Sequence, residues 1–114
     1  MSENALQPER RHRRRTVRIV TEYDACGARR SELATTLGGG GLFIETAAPL
    51  PRDTRVEVRF RLAADAQTHR VPGRVVWCHT PASSGGIGRA TGMGIEFTDG
   101  QAAARVAREL EALP

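Results

Sequence analysis

The residues best suited to chemistry in this sequence are the arginines near its N-terminus. The 17 residues of the combined lysine and arginine count are all arginines, and six fall within the first 18 positions, at 10, 11, 13, 14, 15 and 18. Glu3 and Glu9 oppose these six, which leaves the segment at +4, whereas the eleven arginines and eleven acidic residues that follow cancel. The planar guanidinium group binds phosphate through paired hydrogen bonds. The arginine arm, residues 10–15, therefore predicts an anionic partner: a nucleotide, a nucleic acid or a membrane surface.

The other chemically active residue types form no recognisable catalytic set. His12, His69 and His79 are scattered, and no Ser–His–Asp order, His-Glu-x-x-His or Gly-x-Ser-x-Gly motif is present. Cys26 and Cys78 could join two of these histidines around a metal only at a spacing that matches no known ligand pattern. We therefore expect no enzymatic activity, no metal and no cofactor.

The four consecutive glycines at 38–41 predict a tight turn or bulge. A phosphate loop delivers its backbone N–H groups at the start of a helix, and these glycines lead instead into an apolar, strand-like segment. Bare backbone at such a turn also lets a flat ligand approach closely. The run is thus interpreted as a hairpin that can contribute backbone contacts.

Six strands and one helix must position these residues. Apolar and polar residues alternate with the period of a β-strand over 16–23, 32–37, 42–46, 55–62, 69–79 and 93–97. Within 69–79, the pattern places Val71, Gly73, Val75 and Trp77 on one face, and no strand aromatic is expected to be exposed. Residues 24–30 and 80–92 are predicted loops, the second the most mobile part of the chain. Helical spacing of apolar residues predicts a helix over 101–113 with Asp99 as its N-cap.

These elements predict an all-β fold with one C-terminal helix. Antiparallel strands with one wet face close most economically into a barrel, and the helix can cover one of its mouths. Residues 1–9 are expected to be a disordered tail, and 10–114 a single domain with its barrel at 16–98. No apolar run approaches the roughly 20 residues that span a bilayer, and no secretory signal is apparent, so we expect a cytoplasmic protein without a membrane span.

Five segments in register resemble one known family. The arm, Glu9-Arg10-Arg11-His12-Arg13-Arg14-Arg15, resembles the start of PilZ domains, whose first motif is Arg-x-x-x-Arg. Four further segments, 40–46, 49–51, 73–77 and 92–97, are similar to the family's in order and spacing, so the resemblance covers residues 9 to 113. It is closest to the short, single-domain PilZ-like proteins. The resemblance implies a six-stranded antiparallel barrel with a C-terminal helix.

The family's usual ligand, cyclic di-GMP, is what the resemblance implies for the arm. Arg11 and Arg15 correspond to the two motif arginines that bind the phosphates and the Hoogsteen edge of guanine, with Arg10 assisting. In the family the arm is loose without ligand and folds over the barrel with it, which exposes or covers a surface for a protein partner. The processes implied are bacterial second-messenger signalling in motility, pilus or surface behaviour.

The second motif of the family, Asp/Asn-x-Ser-x-x-Gly, is altered in this sequence. It corresponds to residues 36–41, where Thr36 and Gly38 replace the two polar residues and Gly41 matches. Two readings stay open: a cyclic di-GMP receptor that uses Thr36, Gly38 and Gly41, and an adaptor that has lost the ligand and docks to an unidentified protein. Non-specific nucleic-acid binding is disfavoured because the rest of the chain is neutral. A monomer or weak dimer is expected.

Overall fold

The computed structural model describes residues 14–79 and 91–113. They form six strands, β1 (Arg14–Ala25), β2 (Ala28–Gly38), β3 (Gly41–Glu45), β4 (Arg55–Phe60), β5 (His69–His79) and β6 (Gly92–Phe97), followed by one helix, α1 (Gly100–Ala112).

The six strands form a closed antiparallel barrel in the order β1-β2-β3-β6-β5-β4. This confirms the predicted fold of six antiparallel strands and a C-terminal helix. The ladders differ in length: β1 and β2 pair along most of their length, whereas β1 and β4 meet only at Glu22 with Arg59 and Tyr23 with Val58. β1 is therefore paired along most of its length with β2 and over only two residues with β4.

The interior is filled by alternate residues of every strand. In β1 the alternation predicted from the sequence is present, since Thr21 and Tyr23 are fully buried while Val17 and Ile19 pack at its edge. Aliphatic side chains supply most of the remaining core, including Leu37, Ile44 and Val58. Burial of such side chains provides the main stabilising free energy of a domain of this size.

Two expectations about the strands are wrong. Residues 24–30, predicted to be a loop, contain only a two-residue turn at Cys26 and Gly27, whose φ angles are 53° and 80°. Positive φ at both positions matches the twist of a hairpin, so β2 starts at Ala28 and is longer than predicted. At the other border, β4 ends at Phe60, and Leu62 lies in irregular structure despite its alternating position.

Trp77 is the most consequential correction. A β-bulge between Val75 and Trp77 shifts the register of β5 against β6. The extra residue turns every later side chain to the other face. Val71 and Val75 are therefore buried as expected, but Trp77 is 37% exposed on the outside of the barrel.

The helix α1 begins where the change of sequence period places it. The carboxylate of Asp99 accepts hydrogen bonds from the backbone N–H groups of Gln101 and Ala102 at 2.9 and 3.1 Å, which confirms the predicted N-cap. Ala102, Val106 and Leu110 are buried on the face that packs against the barrel. In the described part of the chain, no helix is long and apolar enough to cross a membrane. Most of the predicted mobile loop, residues 80–90, lies outside the described residues, as do residues 1–13.

Candidate ligand-binding site

The first feature of the site is the pairing of the arginine arm with the glycine hairpin. Arg14 pairs with Gly38, and Thr16 pairs with Thr36, at the start of β1. β2 then turns through Gly39 and Gly40 into β3, and Gly38 pairs with Gly41. The strand ladder thus joins the C-terminal end of the arm to the segment that corresponds to the second motif, as the two-motif interpretation requires.

Arg15 points to the opposite face of β1 from Thr16. It pairs with the buried Leu37, is half-buried, and donates from Nη2 to the backbone oxygen of Leu113 at 3.4 Å. This hydrogen bond is longer than is usual for a nitrogen donor. Arg15 therefore connects the arm to the end of α1, through a contact that is weak enough to exchange.

Thr16 and Thr36 are paired neighbours on β1 and β2, and the next strands carry two aromatic side chains in line with them. Thr36 pairs with Phe43, Phe43 with Gly94, and Gly94 with Trp77, so these residues share the outer face of four adjacent strands. The rings of Phe43 and Trp77 stack with centroids 5.3 Å apart and an angle of 16° between their planes. The indole packs over Gly94, where an added Cβ atom would overlap it. We name this outer face, formed by Thr36, Phe43, Gly94 and Trp77, the aromatic row.

Gly41 has a structural reason to be glycine that is independent of any ligand. A Cβ atom at this position would overlap the backbone carbonyl oxygen of Ile95, because β3 and β6 approach closely here. Backbone cannot yield as a flexible side chain can. The match of Gly41 to the family's second motif is therefore explained by strand packing as fully as by ligand contact.

A polar network occupies the other end of the β1–β2 ladder. The hydroxyl of Tyr23 donates to Glu32, and Arg30 Nη1 donates to the Tyr23 oxygen at 3.2 Å and to the Ala48 backbone oxygen at 2.7 Å. Thr46 donates to the second oxygen of Glu32 at 3.0 Å. Burial, and next the hydrogen bond to Glu32, raise the pKa of Tyr23 above its ordinary value. This network is closed within the protein.

Comparison with known proteins identifies the fold and the family together. The family model described as the PilZ domain matches residues 8–113. The chain belongs to the PilZ domain family. PilZ domains are generally regulatory or binding modules rather than enzymes. A search of curated protein sequences gives no significant match.

Three solved structures have the same fold at low sequence identity. The Bacillus subtilis inhibitor of motility (MotI/DgrA) matches with a TM-score of 0.67 and 12% identity, over 89% of this chain and 50% of that one. The PilZ domain of CeSA from a cellulose-synthesizing bacterium matches with a TM-score of 0.62 and 20% identity, over 87% and 98%. An uncharacterized Legionella protein matches with a TM-score of 0.56 and 8% identity, over 88% and 91%. The chain thus spans half the length of the Bacillus motility inhibitor.

The predicted site residues are only partly visible in this PilZ domain. Arg10 and Arg11 lie outside the described residues. Arg15, Thr36, Gly38 and Gly41 gather at one end of β1, β2 and β3, although Arg15 faces away from the others.

Sequence reasoning missed the aromatic row. The signal that could have revealed it is the run Val75-Val76-Trp77, in which three consecutive apolar residues interrupt the alternation of β5. The exposure of Trp77 also corrects the expectation that no strand aromatic is exposed. Among residues 14–79 and 91–113, no group of three or more histidine, cysteine, aspartate or glutamate side chains could hold a metal ion.

Proposed function

We propose that this PilZ domain is a cytosolic receptor for cyclic di-GMP that signals by changing a protein-binding surface. The observation that carries the proposal is the pairing of Arg14 with Gly38, because it fixes the end of the arginine arm beside the altered second motif. Arg11 is three residues before Arg14, so the chain can separate their Cα atoms by at most about 11 Å. The Arg11 side chain can therefore reach the Gly38–Gly41 hairpin.

The arm supplies charge where a cyclic dinucleotide carries its two phosphates. Arg11 and Arg15 are assigned to the phosphates and the guanine Hoogsteen edge, and Arg10 assists. Charge-assisted hydrogen bonds from guanidinium groups are about twice as strong as neutral ones. The Gly38–Gly41 hairpin contributes backbone groups, and the Thr36 hydroxyl contributes one donor and acceptor.

The aromatic row supplies a stacking surface for a guanine base. Phe43 lies one strand spacing, about 4.8 Å, from Thr36, and Trp77 extends the same surface outward. Stacking of a base on an aromatic ring contributes about 1–3 kcal/mol. The arrangement therefore offers a base platform on the outer face of the barrel, beside the end of the arginine arm.

The signalling step follows from the contact between Arg15 and Leu113. The carbonyl oxygen of Leu113 is a neutral acceptor at 3.4 Å, and a phosphate oxygen is a charged one that arginine prefers. Ligand binding would therefore withdraw Arg15 from the end of α1 and alter the surface there. The shared fold with a Bacillus subtilis inhibitor of motility makes motility the first process to test.

The experiment is calorimetric titration of the full chain with cyclic di-GMP. We expect saturable binding that weakens about tenfold or more in Arg11→Ala and in Arg15→Ala, since each removes a charged hydrogen-bonding partner. Arg52→Ala is the matched control, because Arg52 is exposed in a turn outside the site. The absence of heat at high micromolar ligand, or equal affinity in the two arm variants and the control, contradicts the proposal.

Fluorescence adds an independent readout because Trp77 is the only tryptophan. Stacking of guanine on the indole should quench its emission in proportion to the calorimetric saturation. Trp77→Leu should weaken binding about tenfold. Binding without any change in emission would place the bases away from the aromatic row.

The altered second motif favours a second candidate, a PilZ adaptor that binds no dinucleotide and acts by docking to a protein. Thr36 offers a shorter side chain than the acceptor that the family's motif places against guanine, and Gly38 lacks the motif's serine hydroxyl. The double substitution Thr36→Asn with Gly38→Ser separates the candidates. If the native chain gives no heat and the double variant binds, the adaptor is correct. If both bind, with the variant tighter, the receptor is correct.

A further inference from the structure

A cleft opens in the barrel wall where β1 and β4 part. Their ladder contains only Glu22–Arg59 and Tyr23–Val58, and the chain leaves β4 after Phe60. Among the described residues, nothing but β2 pairs with Arg14–Thr21 of β1. The resulting cleft has a volume of about 530 Å³ and lies between β1 and the segment 59–64.

The free edge of β1 is the first reason to expect a partner in this cleft. Eight residues of an edge strand, 14–21, extend past the last pair with β4. Unpaired backbone N–H and C=O groups along such an edge are a template for a further strand. An extended peptide that joins an open edge in this way gains main-chain hydrogen bonds along its length.

The side chains around the cleft indicate what kind of strand it would accept. Its floor is apolar, formed by Ile19, Phe60 and Leu62. On its outer rim Val20 is 62% exposed, the most exposed of the large hydrophobic residues in the described chain. Because alternate residues of a strand face opposite sides, an added strand would present one set of side chains to this floor and the other to the rim.

The charge of the rim is the second reason to expect a partner in this cleft, and it determines the sign of that partner's charge. Arg59 is neutralised by Asp24 and Glu57, both at 3.4 Å, and by Glu22, a carboxylate of the cleft lining, at 4.0 Å. Arg61 is held in place by two neutral oxygens, Thr68 Oγ1 and the Ala64 carbonyl, both at 3.1 Å. Within the described residues, no carboxylate lies within ion-pair distance of Arg61 or Arg18. Two uncompensated positive charges therefore flank the cleft.

We propose that this cleft binds an extended acidic segment of a partner protein, which adds as a strand to the free edge of β1. Its apolar residues would face Ile19 and Leu62, and its acidic residues would face Arg18 and Arg61. The lining of the cleft includes no residue of the arginine arm or the aromatic row, so the proposal goes beyond cyclic di-GMP binding.

The test uses a fluorescein-labelled nonapeptide in which glutamates alternate with valines and threonines. Fluorescence anisotropy with the full chain, without cyclic di-GMP, should show saturable binding, and the same peptide with lysine for glutamate should not bind. Arg18→Glu and Arg61→Glu should each weaken binding about tenfold, because each places a negative charge against the glutamates of the peptide. Arg52→Glu makes the same charge change away from the cleft and should leave affinity unaltered.

Two N-methylated peptides isolate the backbone contribution. Methylation of either the odd or the even amides keeps every side chain and removes the donors of one edge. Addition to β1 requires that one of the two peptides loses binding about tenfold or more. Absence of saturable binding at millimolar peptide, or unchanged binding of both methylated peptides, overturns the proposal. Displacement of the parent peptide by a nine-nucleotide single strand, with the same two arginine dependences, overturns it in favour of a nucleic-acid surface.

Discussion

The two ends of the β1–β2 ladder are built on opposite principles. One end carries the Cys26–Gly27 turn. There the side chains of a polar network satisfy one another through hydrogen bonds that close within the protein: Tyr23, Arg30, Glu32 and Thr46. At the arm end, Arg15 makes one long contact with a neutral carbonyl, and the facing segment is largely glycine. A closed polar network fixes one conformation, whereas the exposed Arg14 beside bare backbone can accept an external anion. The first end holds the barrel together, and the second is the proposed site of binding.

The arm end of the ladder also contains one tightly packed element, the Gly38–Gly41 hairpin. Gly41 of this hairpin packs against β6, so the backbone position of the hairpin is determined before any ligand binds. A preorganised backbone lowers the free-energy cost of association. The preorganised part of the proposed site is therefore the Gly38–Gly41 hairpin.

The largest expected effect is that of Gly41→Ala. The new methyl group overlaps the Ile95 carbonyl oxygen, and separating β3 from β6 should lower the free energy of unfolding by about 3 kcal/mol. Urea unfolding followed by tryptophan emission measures it. Gly100→Ala is the control, because nothing lies within 4 Å of the added atom, and it should not lower the free energy of unfolding. Equal stability of the two variants would show that the barrel is not closed tightly at this point.

The next largest expected effect on stability is that of Tyr23→Phe, at the end of the β1–β2 ladder that carries the Cys26–Gly27 turn. The substitution removes the hydroxyl that donates to Glu32 and leaves that carboxylate short of one donor, so unfolding free energy should fall by about 2 kcal/mol. Thr68→Ala, which removes an exposed hydroxyl that accepts from Arg61, should change it by less than about 0.5 kcal/mol. Comparable losses in the two variants would mean that the Tyr23 network contributes no more than a surface contact.

The same tyrosine predicts a dependence of stability on alkaline pH. Burial, followed by the hydrogen bond to Glu32, raises the pKa of Tyr23 above its ordinary value of 10.0. Above that value the unfolded chain loses the tyrosine proton while the folded chain keeps it. Between the two pKa values, unfolding free energy should therefore fall by up to about 1.4 kcal/mol per pH unit.

Tyrosinate absorbance measures this directly, because Tyr23 is the only tyrosine. The folded protein should titrate at higher pH than the protein in concentrated urea, and Tyr23→Phe should flatten the alkaline loss of stability. Coincident titration curves for the folded and unfolded protein would contradict the pKa direction.

The smallest expected effect on stability is that of Arg15→Ala. Its contact with Leu113 is long and half-exposed, so unfolding free energy should change by less than about 0.5 kcal/mol. The same variant should weaken cyclic di-GMP binding as described above. A variant that loses stability and affinity in parallel would assign Arg15 a structural role and remove the contrast between the two ends of the ladder.

Most of the fold could be predicted because local pattern and burial agree in most elements. Val17, Ile19, Thr21 and Tyr23 alternate in the sequence, and the structure buries them increasingly toward the C-terminal end of β1. Asp99 precedes a segment of helical period and caps it. The two-residue turn at Cys26 and Gly27 was missed because its positive φ angles are rare for a cysteine and leave little trace in composition.

The sequence by itself determined the composition of the proposed site: an excess of arginine in one short arm, a glycine hairpin and the family to which both belong. These are properties of residue type and spacing, and they do not depend on how the strands are arranged in the barrel. The tertiary structure alone decided which residues face one another. The bulge after Val75 turns Trp77 outward, and the register of β1 with β2 sets Arg14 against Gly38 while Arg15 points to α1. The face of a strand residue depends on pairing with distant strands, and a shift of one residue reverses it.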